Sequence, residues 1–256
     1  MDESVIAPFR AFAADPAGSE LDGALLLNAL LDQRIDAGRI RGTLCDLARQ
    51  CDQPEAPWEF LAREGFSGNR SDYGSLDNSR LDRVLERRRG IPITLGIVLI
   101  EVARAMGARA SGIGFPGHFL VSVRDNLIDP FEMRPTAAEH WQKLAGIPDT
   151  GRAAAFAPAS PVAVLQRMLN NVRQHHARVS RWDLALDLLD CQRAVSPDDV
   201  ALALERSELW LRLGAVQMAK SSLTEAIDLA GRVQPELTTV LQRRLAALGK
   251  ASESMH

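Results

Sequence analysis

The chain has 256 residues, 46% hydrophobic and 25% charged, the composition of an ordinary globular protein with room for one large domain or two smaller ones. Its formal net charge of -3 and pI near 6.0 give no overall attraction to nucleic acid or anionic lipid, so neither is an expected partner. The three cysteines, Cys45, Cys51 and Cys191, show no CxxC pairing and no histidine at ligand spacing, which argues against a zinc site or a disulfide framework.

The N-terminal segment MDESVIAPFR is acidic and lacks a long apolar core. The longest uncharged apolar run, residues 91–100, is far shorter than a membrane-spanning helix. We therefore expect a soluble, unprocessed protein of the reducing cytoplasm, with no metal, no cofactor and no membrane contact.

The first predicted elements are packing helices. Apolar residues recur at spacings of three and four from Leu21 to Leu31 and again from Ile40 to Leu47. Residues 66–78 are rich in Gly, Ser, Asn and Asp, which favours turns and predicts a surface loop.

A buried helix is predicted next. Leu81, Val84 and Leu85 indicate a short amphipathic helix that Gly90 ends, and Pro92 suits the first turn of a new one. The following sequence, ITLGIVLIEVARAM, is apolar on nearly all sides, as expected for a helix inside a domain.

Three short β-like runs follow, separated by turn residues. They cover residues 110–113, 118–123 and 127–131. A small antiparallel sheet behind a buried helix is an α+β arrangement. The GxGxxG spacing in this region precedes a strand and not a helix, so we reject a dinucleotide site and expect these glycines to allow tight turns and close approach to the buried helix.

The C-terminal part is predicted to be helical and repetitive. Residues 151–160, rich in Ala, Pro and Ser, indicate a linker between a domain at 1–150 and another at 161–256. Ala185 and Leu189 recur 34 residues later as Ala219 and Leu223, the tetratricopeptide period. A plain helical bundle is the alternative, because other signature positions differ. The adjacent His175 and His176 are expected to be exposed and not to bind metal.

The segment from Asn78 to Phe131 resembles the transglutaminase-like, papain-related superfamily. In that superfamily a cysteine stands at the N-terminus of the buried helix, and a histidine and an aspartate follow on neighbouring strands. The resemblance implies His118 as the base and Asp129 as its orienting carboxylate. If residues 123–126 form the turn, Leu120 lies opposite Asp129, and His118 lies diagonally from it on the same face.

The superfamily's nucleophile is missing. No cysteine occurs between Asn78 and Phe131, and residues 92–94 offer only the Thr94 hydroxyl. The alternative role for Thr94 is to cap the first helical turn, and a threonine hydroxyl is a much weaker nucleophile than a thiolate. His118 and Asp129 have structural alternatives too: a histidine bonded to a carboxylate, and an Asp-Pro turn bonded to backbone N–H groups.

The strings GIPIT, EVARAMG, GFPGHFLV and IDPF resemble, more narrowly, a bacterial family that joins a transglutaminase-like domain to C-terminal tetratricopeptide repeats and is described as regulators of invasion-gene expression. Members commonly lack the cysteine. Here Glu-Met-Arg follows Phe131 in place of the family's usual glycine-containing end.

These features predict a non-catalytic protein- or peptide-binding or regulatory module. Its partner is expected to bind at the cleft near His118 and at the C-terminal repeats. The alternative is a hydrolase or acyl-transferase in which His118 and Asp129 activate Thr94 or a water molecule. No DNA-reading motif is visible, so any effect on transcription is expected to be indirect.

Overall fold

The structure, a computed structural model, describes residues 2–51 and 55–253. The described residues form two compact units. Unit 2 is the continuous stretch Ala17–Met168, whereas unit 1 combines the residues up to Pro16 with those from Leu169 onward.

The described part of the chain contains helices α1 (Glu3–Ala14), α2 (Glu20–Leu31), α3 (Ala37–Gln50), α4 (Pro57–Arg63), α5 (Leu81–Arg87), α6 (Pro92–Ala105), α7 (Ala138–Leu144), α8 (Asp149–Ala155), α9 (Pro161–Arg178), α10 (Trp182–Val195), α11 (Val200–Arg212), α12 (Val216–Val233) and α13 (Thr238–Glu253). The strands are β1 (Ser67–Gly68), β2 (Arg89–Gly90), β3 (Ala110–Ile113), β4 (Leu120–Val123), β5 (Asn126–Asp129) and β6 (Arg134–Pro135). Single-turn 3-10 helices cover Leu76–Ser79 and Pro235–Leu237.

Unit 2 begins with two capped helices. The Ser19 hydroxyl accepts from the backbone N–H of Asp22, whose carboxylate accepts from the Ser19 N–H, so two donors at the start of α2 are satisfied. Asp36 caps α3 in the same way through the N–H of Arg39. The apolar sides of both helices are buried, as the three-and-four spacing predicts.

Helix α6 is the centre of unit 2. Eleven of its 14 residues are buried, and α3, α4, β3 and β4 all pack against it. Pro92 stands in its first turn, where a missing N–H costs no helical hydrogen bond. The sequence prediction of a buried helix is confirmed.

The four-stranded sheet is antiparallel, with strand order β3-β4-β5-β6, and β1 pairs separately with β2. The four-stranded sheet together with the helices confirms the α+β class. Val123 pairs with Asn126, leaving a two-residue hairpin loop in which Arg124 has a left-handed φ of 53°. The strands differ slightly from prediction. β4 begins at Leu120, so His118 lies in the preceding connection, and β6 adds a fourth strand.

The side chain of Phe119 fills the space between α6 and β3. A Cβ atom on Gly96 would lie 2.7 Å from its ring, and one on Gly112 would lie 2.4 Å from it. Both glycines therefore let an aromatic ring pack directly on backbone. Gly117, with a φ of 74°, provides the turn just before His118.

Residues 151–160 differ from the predicted linker. Helix α8 extends to Ala155, and Phe156 packs on Phe115 with ring centroids 5.1 Å apart. The N–H of Ala159 donates to Gly112 O at 2.8 Å, so the segment joins the edge of β3. This aromatic contact and edge pairing give an Ala- and Pro-rich segment enough burial to be ordered.

The division of the chain also differs from a boundary near residue 150. Along the chain, the boundary between unit 2 and unit 1 falls within α9, between Met168 and Leu169. Helix α1 belongs with the C-terminal helices, where it packs on α10. Sequence position alone gives no sign of this pairing, because an amphipathic helix does not identify its partner.

The helices of unit 1 repeat their geometry. Ser180 and Gly214, 34 residues apart, both have left-handed φ angles, of 57° and 74°. The hydrogen bonds after each helix also match, since Arg181 N–H donates to His176 O and Ala215 N–H donates to Trp210 O, both at 2.9 Å. His176 is buried, contrary to the expectation of an exposed pair. It occupies the position that the large side chain of Trp210 fills one repeat later.

Within residues 2–51 and 55–253, no helix combines the length and the apolar character that crossing a membrane demands.

Candidate functional site

The hairpin of β4 and β5 brings His118 and Asp129 together. Val121 pairs with Ile128, which sets Asp129 opposite Leu120, two residues after His118. His118 Nε2 lies 2.9 Å from Asp129 Oδ1, and both side chains are mostly buried. The diagonal relation that the sequence predicts is therefore a direct side-chain contact.

Asp129 holds a second partner as well. Its Oδ1 accepts from the backbone N–H of Phe131 at 2.9 Å, the contact expected of an Asp-Pro turn. An ionised carboxylate only accepts, so the hydrogen of a neutral imidazole belongs on Nε2, and Nδ1 is left with its lone pair. Asp129 therefore makes both of the contacts that the sequence offered as alternatives, one to the histidine and one to the backbone of the Asp-Pro turn.

Trp141 completes the immediate surroundings of His118. Its ring stacks on the imidazole, with centroids 4.3 Å apart and planes inclined by 20°. A hydrogen bond from Trp141 Nε1 to Thr136 Oγ1 at 3.0 Å fixes the indole, and the edge of Phe115 packs against it. Trp141 was not among the site residues predicted from the sequence. The only available signal was one large aromatic residue in the short, otherwise polar α7.

Thr94 is not joined to this pair. Its side chain is fully buried, and its hydroxyl lies 2.7 Å from Asn78 O and 3.1 Å from Ile91 O, either of which can accept its single hydrogen. The Ile91 N–H donates to Thr94 Oγ1 at 3.3 Å, so the hydroxyl also satisfies a donor at the start of α6. These contacts correspond to the capping alternative.

A buried amide pair organises the loop before α5. Asn69 Nδ2 donates to Asn78 Oδ1 at 2.9 Å, and Asn78 Nδ2 donates to Asp72 O and Tyr73 O. Asn78 O receives the Thr94 hydroxyl, so the loop and the start of α6 form one polar network. Residues 66–78 were predicted to be a surface loop, and the buried contact between these two asparagines was not predicted. Their side chains are indistinguishable in sequence from ordinary turn formers.

The cysteines offer no replacement nucleophile near His118 in the sequence. Cys51 and Cys191 are buried, and Cys45 lies exposed on α3. Burial raises the pKa of Cys191 to about 12, so this thiol stays protonated at neutral pH and is a poor nucleophile.

The chain after Asp129 folds back over β1. Phe131 packs its ring on Gly68, and Tyr73 packs on Phe131 with centroids 5.9 Å apart. Of the three residues that depart from the resembled family, Glu132 forms an ion pair with Arg70, and Met133 is buried with a φ of 48°. The third, Arg134, begins β6 opposite Asp129.

Arg167 lies on the other side of the His118 turn. Its Nη1 donates to Phe115 O at 2.9 Å, and that oxygen also accepts the backbone N–H of His118 at 3.1 Å. Burial lowers the pKa of Arg167, while the neighbouring Tyr73 side chain opposes that shift.

Comparison with known proteins places the chain in a family. The sequence profile of the transglutaminase-like superfamily matches residues 30–170, which include His118 and Asp129. A UPF0162 protein of Xylella fastidiosa is 37% identical over 177 residues, covering 64% of this chain and 63% of that protein. A UPF0162 protein of Pseudomonas aeruginosa is 30% identical over 227 residues, covering 85% and 83%.

The likeness extends to a eukaryotic protein over part of its length. Mouse F-box only protein 21 is 31% identical over 165 residues, covering 58% of this chain and 26% of that protein. No solved structure matches the chain. The match spans less than two thirds of the length of the Xylella relatives but most of the Pseudomonas one. By the profile match over more than half of its residues, the chain belongs to the transglutaminase-like superfamily, with bacterial UPF0162 proteins among its relatives.

Proposed function

We propose that this protein is a non-catalytic transglutaminase-like protein that binds a protein or peptide at the cleft beside His118 and acts as a regulatory module. The observation that carries the proposal is the oriented His118–Asp129 pair, kept at 2.9 Å in a segment without a cysteine. A base with its orienter but no cysteine nucleophile supports a role in binding over the covalent step of the superfamily.

The chemistry of Thr94 supports a role in binding over catalysis. Covalent acyl transfer needs a nucleophile within hydrogen-bond reach of its base. The hydroxyl hydrogen of Thr94 has Asn78 O at 2.7 Å as its nearest acceptor, and its side chain is fully buried. To act as a nucleophile, Thr94 would have to break the network that holds the loop on α6.

The His118 pair can recognise a backbone. With Nε2 donating to Asp129, Nδ1 can accept a hydrogen bond from a peptide N–H. Trp141, which packs against Phe115, stacks on the imidazole and holds it in one orientation, so the acceptor is fixed before a ligand arrives. Preorganisation of this kind favours affinity for an extended peptide.

We propose further that the helical hairpins of unit 1 are tetratricopeptide repeats and present a second recognition surface. The 34-residue correspondence of Ser180 with Gly214 supports this, as does the full burial of Ala185 and Ala219 at matching positions. Ion pairs also join successive hairpins of unit 1, Arg173 of α9 with Glu205 of α11 and Arg193 of α10 with Glu225 of α12. Few repeats suffice when a further helix, here α13, covers the last hairpin.

A cytoplasmic location and an indirect effect on gene expression complete the proposal. The free cysteines fit a reducing compartment. The resemblance to regulators of invasion-gene expression supports a regulatory role through a protein partner.

A hydrolase is the second candidate, favoured by the 2.9 Å contact of His118 with Asp129. In this alternative Nδ1 of His118 takes a proton from a water molecule, and the resulting hydroxide attacks an acyl carbon. The proton then passes to the leaving amine or alcohol.

One experiment on the full chain distinguishes the binding function from the hydrolase function. His118→Ala and, as a matched control in unit 1, His175→Ala are assayed with wild type on panels of ester, amide and glutaminyl substrates and in binding to random peptides. We expect no turnover by any of the three proteins and weaker peptide binding by His118→Ala alone. Turnover by wild type that disappears in His118→Ala would establish the hydrolase instead.

A further inference from the structure

Arg167 differs from the other half-buried arginines of unit 2. Within Ala17–Met168 the half-buried arginines are Arg80, Arg152 and Arg167. Arg80 pairs with Asp32 and Asp82, and Arg152 pairs with Glu139. No carboxylate of the described residues forms an ion pair with Arg167, whose protein hydrogen bond goes to a neutral carbonyl, Phe115 O.

Neither α9 nor the turn that faces Arg167 supplies a carboxylate. Helix α9 has the sequence PVAVLQRMLNNVRQHHAR, without Asp or Glu, so it offers no partner at the adjacent turns. The facing turn, Phe115-Pro-Gly-His118, is equally free of carboxylates, and Tyr73 is the side chain that opposes the lowering of the Arg167 pKa. Removing a guanidinium from water without a counter-charge costs free energy, so the fold gains nothing in stability from a cation here.

The position of Arg167 connects it to the dyad. Its Nη1 and the backbone N–H of His118 share one acceptor, Phe115 O. A guanidinium carries five N–H donors in a planar fork, and the bond to Phe115 uses one of them. No nitrogen of Arg167 is sealed from solvent without a partner. Those of its N–H donors that have no protein partner therefore reach solvent, and they belong to a guanidinium bonded to the turn that carries His118.

We propose that Arg167 binds a carboxylate of the peptide that occupies the His118 cleft. A carboxylate accepts two parallel N–H bonds from one guanidinium, and partial burial strengthens the pairing. This rests on the proposed peptide-binding function and adds a specificity to it. The ligand is an acidic peptide, whose carboxylate belongs either to an Asp or Glu side chain or to the C-terminus.

The test uses two pools of random hexapeptides, one with free C-terminal carboxylates and one with C-terminal amides, passed over the immobilised full chain. Arg167→Gln removes the charge, and Arg167→Lys keeps the charge but loses the fork. Arg109→Gln is the matched control, because Arg109 is exposed, lacks an ion pair within the described residues and stands at the opposite end of β3. Retained peptides are sequenced by mass spectrometry, and the affinities of the best ones are measured.

We expect wild type and Arg109→Gln to retain the same carboxylate-bearing peptides. If Asp or Glu is enriched among peptides retained from the amide pool, the bound carboxylate belongs to a side chain. If peptides from the free-acid pool are preferred, the bound carboxylate is the C-terminus of the peptide. Arg167→Gln should lose the enrichment and bind the best peptide at least about tenfold more weakly, with Arg167→Lys between the two.

The contrary outcomes are distinct. Retained peptides without carboxylate enrichment, or an enrichment that persists in Arg167→Gln, would overturn the role of Arg167 and leave the peptide-binding function standing. Failure of wild type to retain any peptide would overturn both. Thermal unfolding adds a second readout. Arg167→Gln should melt at the temperature of wild type or above, whereas a purely structural role requires a lower melting temperature.

Discussion

At the scale of single residues, Thr94 shows how a hydroxyl at a catalytic-looking position serves the fold. We expect Thr94→Val to lower the free energy of unfolding by about 1 to 3 kcal/mol, because the N–H of Ile91 and the carbonyl of Asn78 lose their shared partner inside the protein. Thr43→Val is the matched control, since its hydroxyl bonds Arg39 O on a half-exposed helix face. Urea denaturation of both variants measures the difference. Equal, small losses would contradict the buried-network role.

The candidate site was partly predictable from residues. The resemblance of the segment around His118 and Asp129 was enough to pair them, because hairpin register follows from the turn. Trp141, Asn78 and Arg167 were not predictable. Trp141 and Arg167 reach the surroundings of His118 from helices α7 and α9, outside the hairpin, and Asn78 belongs to the network around Thr94. Their contribution depends on packing, which one sequence does not reveal.

At the scale of elements, the contact of α6 with the sheet depends on missing side chains. Gly96→Ala places a methyl group 2.7 Å from the Phe119 ring, so we expect a loss of about 1 to 3 kcal/mol in stability from overpacking. Gly42→Ala, on an exposed turn of α3 with no neighbouring atom within 4 Å, should instead stabilise by about 0.5 to 1 kcal/mol. Thermal melts of the two variants should shift in opposite directions, and a shift in the same direction would argue against a tight α6–sheet contact.

The elements themselves followed well from sequence. The apolar run of α6 and the short β-like run over residues 118–123 leave little choice of structure. The extra order at residues 151–160 did not follow, because it depends on Phe156 meeting Phe115 and on the free edge of β3. The alanine and proline residues of this segment predict neither the aromatic contact nor the pairing with β3.

At the scale of the whole molecule, unit 1 should respond to acid. Burial, aided by the neighbouring His175, lowers the pKa of His176 below its usual 6.5, so the unfolded chain binds this proton more tightly than the folded one. The contribution of neutral His176 to stability is therefore complete above about pH 6.5 and is lost as the pH falls, by at most about 1.4 kcal/mol per pH unit.

Hydrogen exchange at pH 7.5 and 5.5 checks this in the full chain. Peptides from α9 and α10 should lose protection at the lower pH, and His176→Gln should remove this part of the dependence. An unchanged pH response in His176→Gln would assign the effect to other groups.

Unit 1 should also depend on the start of the chain. Phe9 is 1% exposed and is the buried side chain of α1, which packs on α10. We expect Phe9→Ala to cost about 3 to 5 kcal/mol and to raise hydrogen exchange in α10 while peptides of α6 keep their protection. Loss of protection in α6 but not in α10 would contradict the assignment of α1 to unit 1.

The division of the chain has a consequence for its synthesis. Helix α1 is synthesised before unit 2, yet its partner α10 emerges from the ribosome only after all of unit 2 has been made. Unit 2, whose residues are continuous, can fold during translation, while α1 waits with its apolar side exposed. Helix α1 of the nascent chain is thus open to chaperones and proteases until the residues beyond 168, which complete unit 1, have been synthesised.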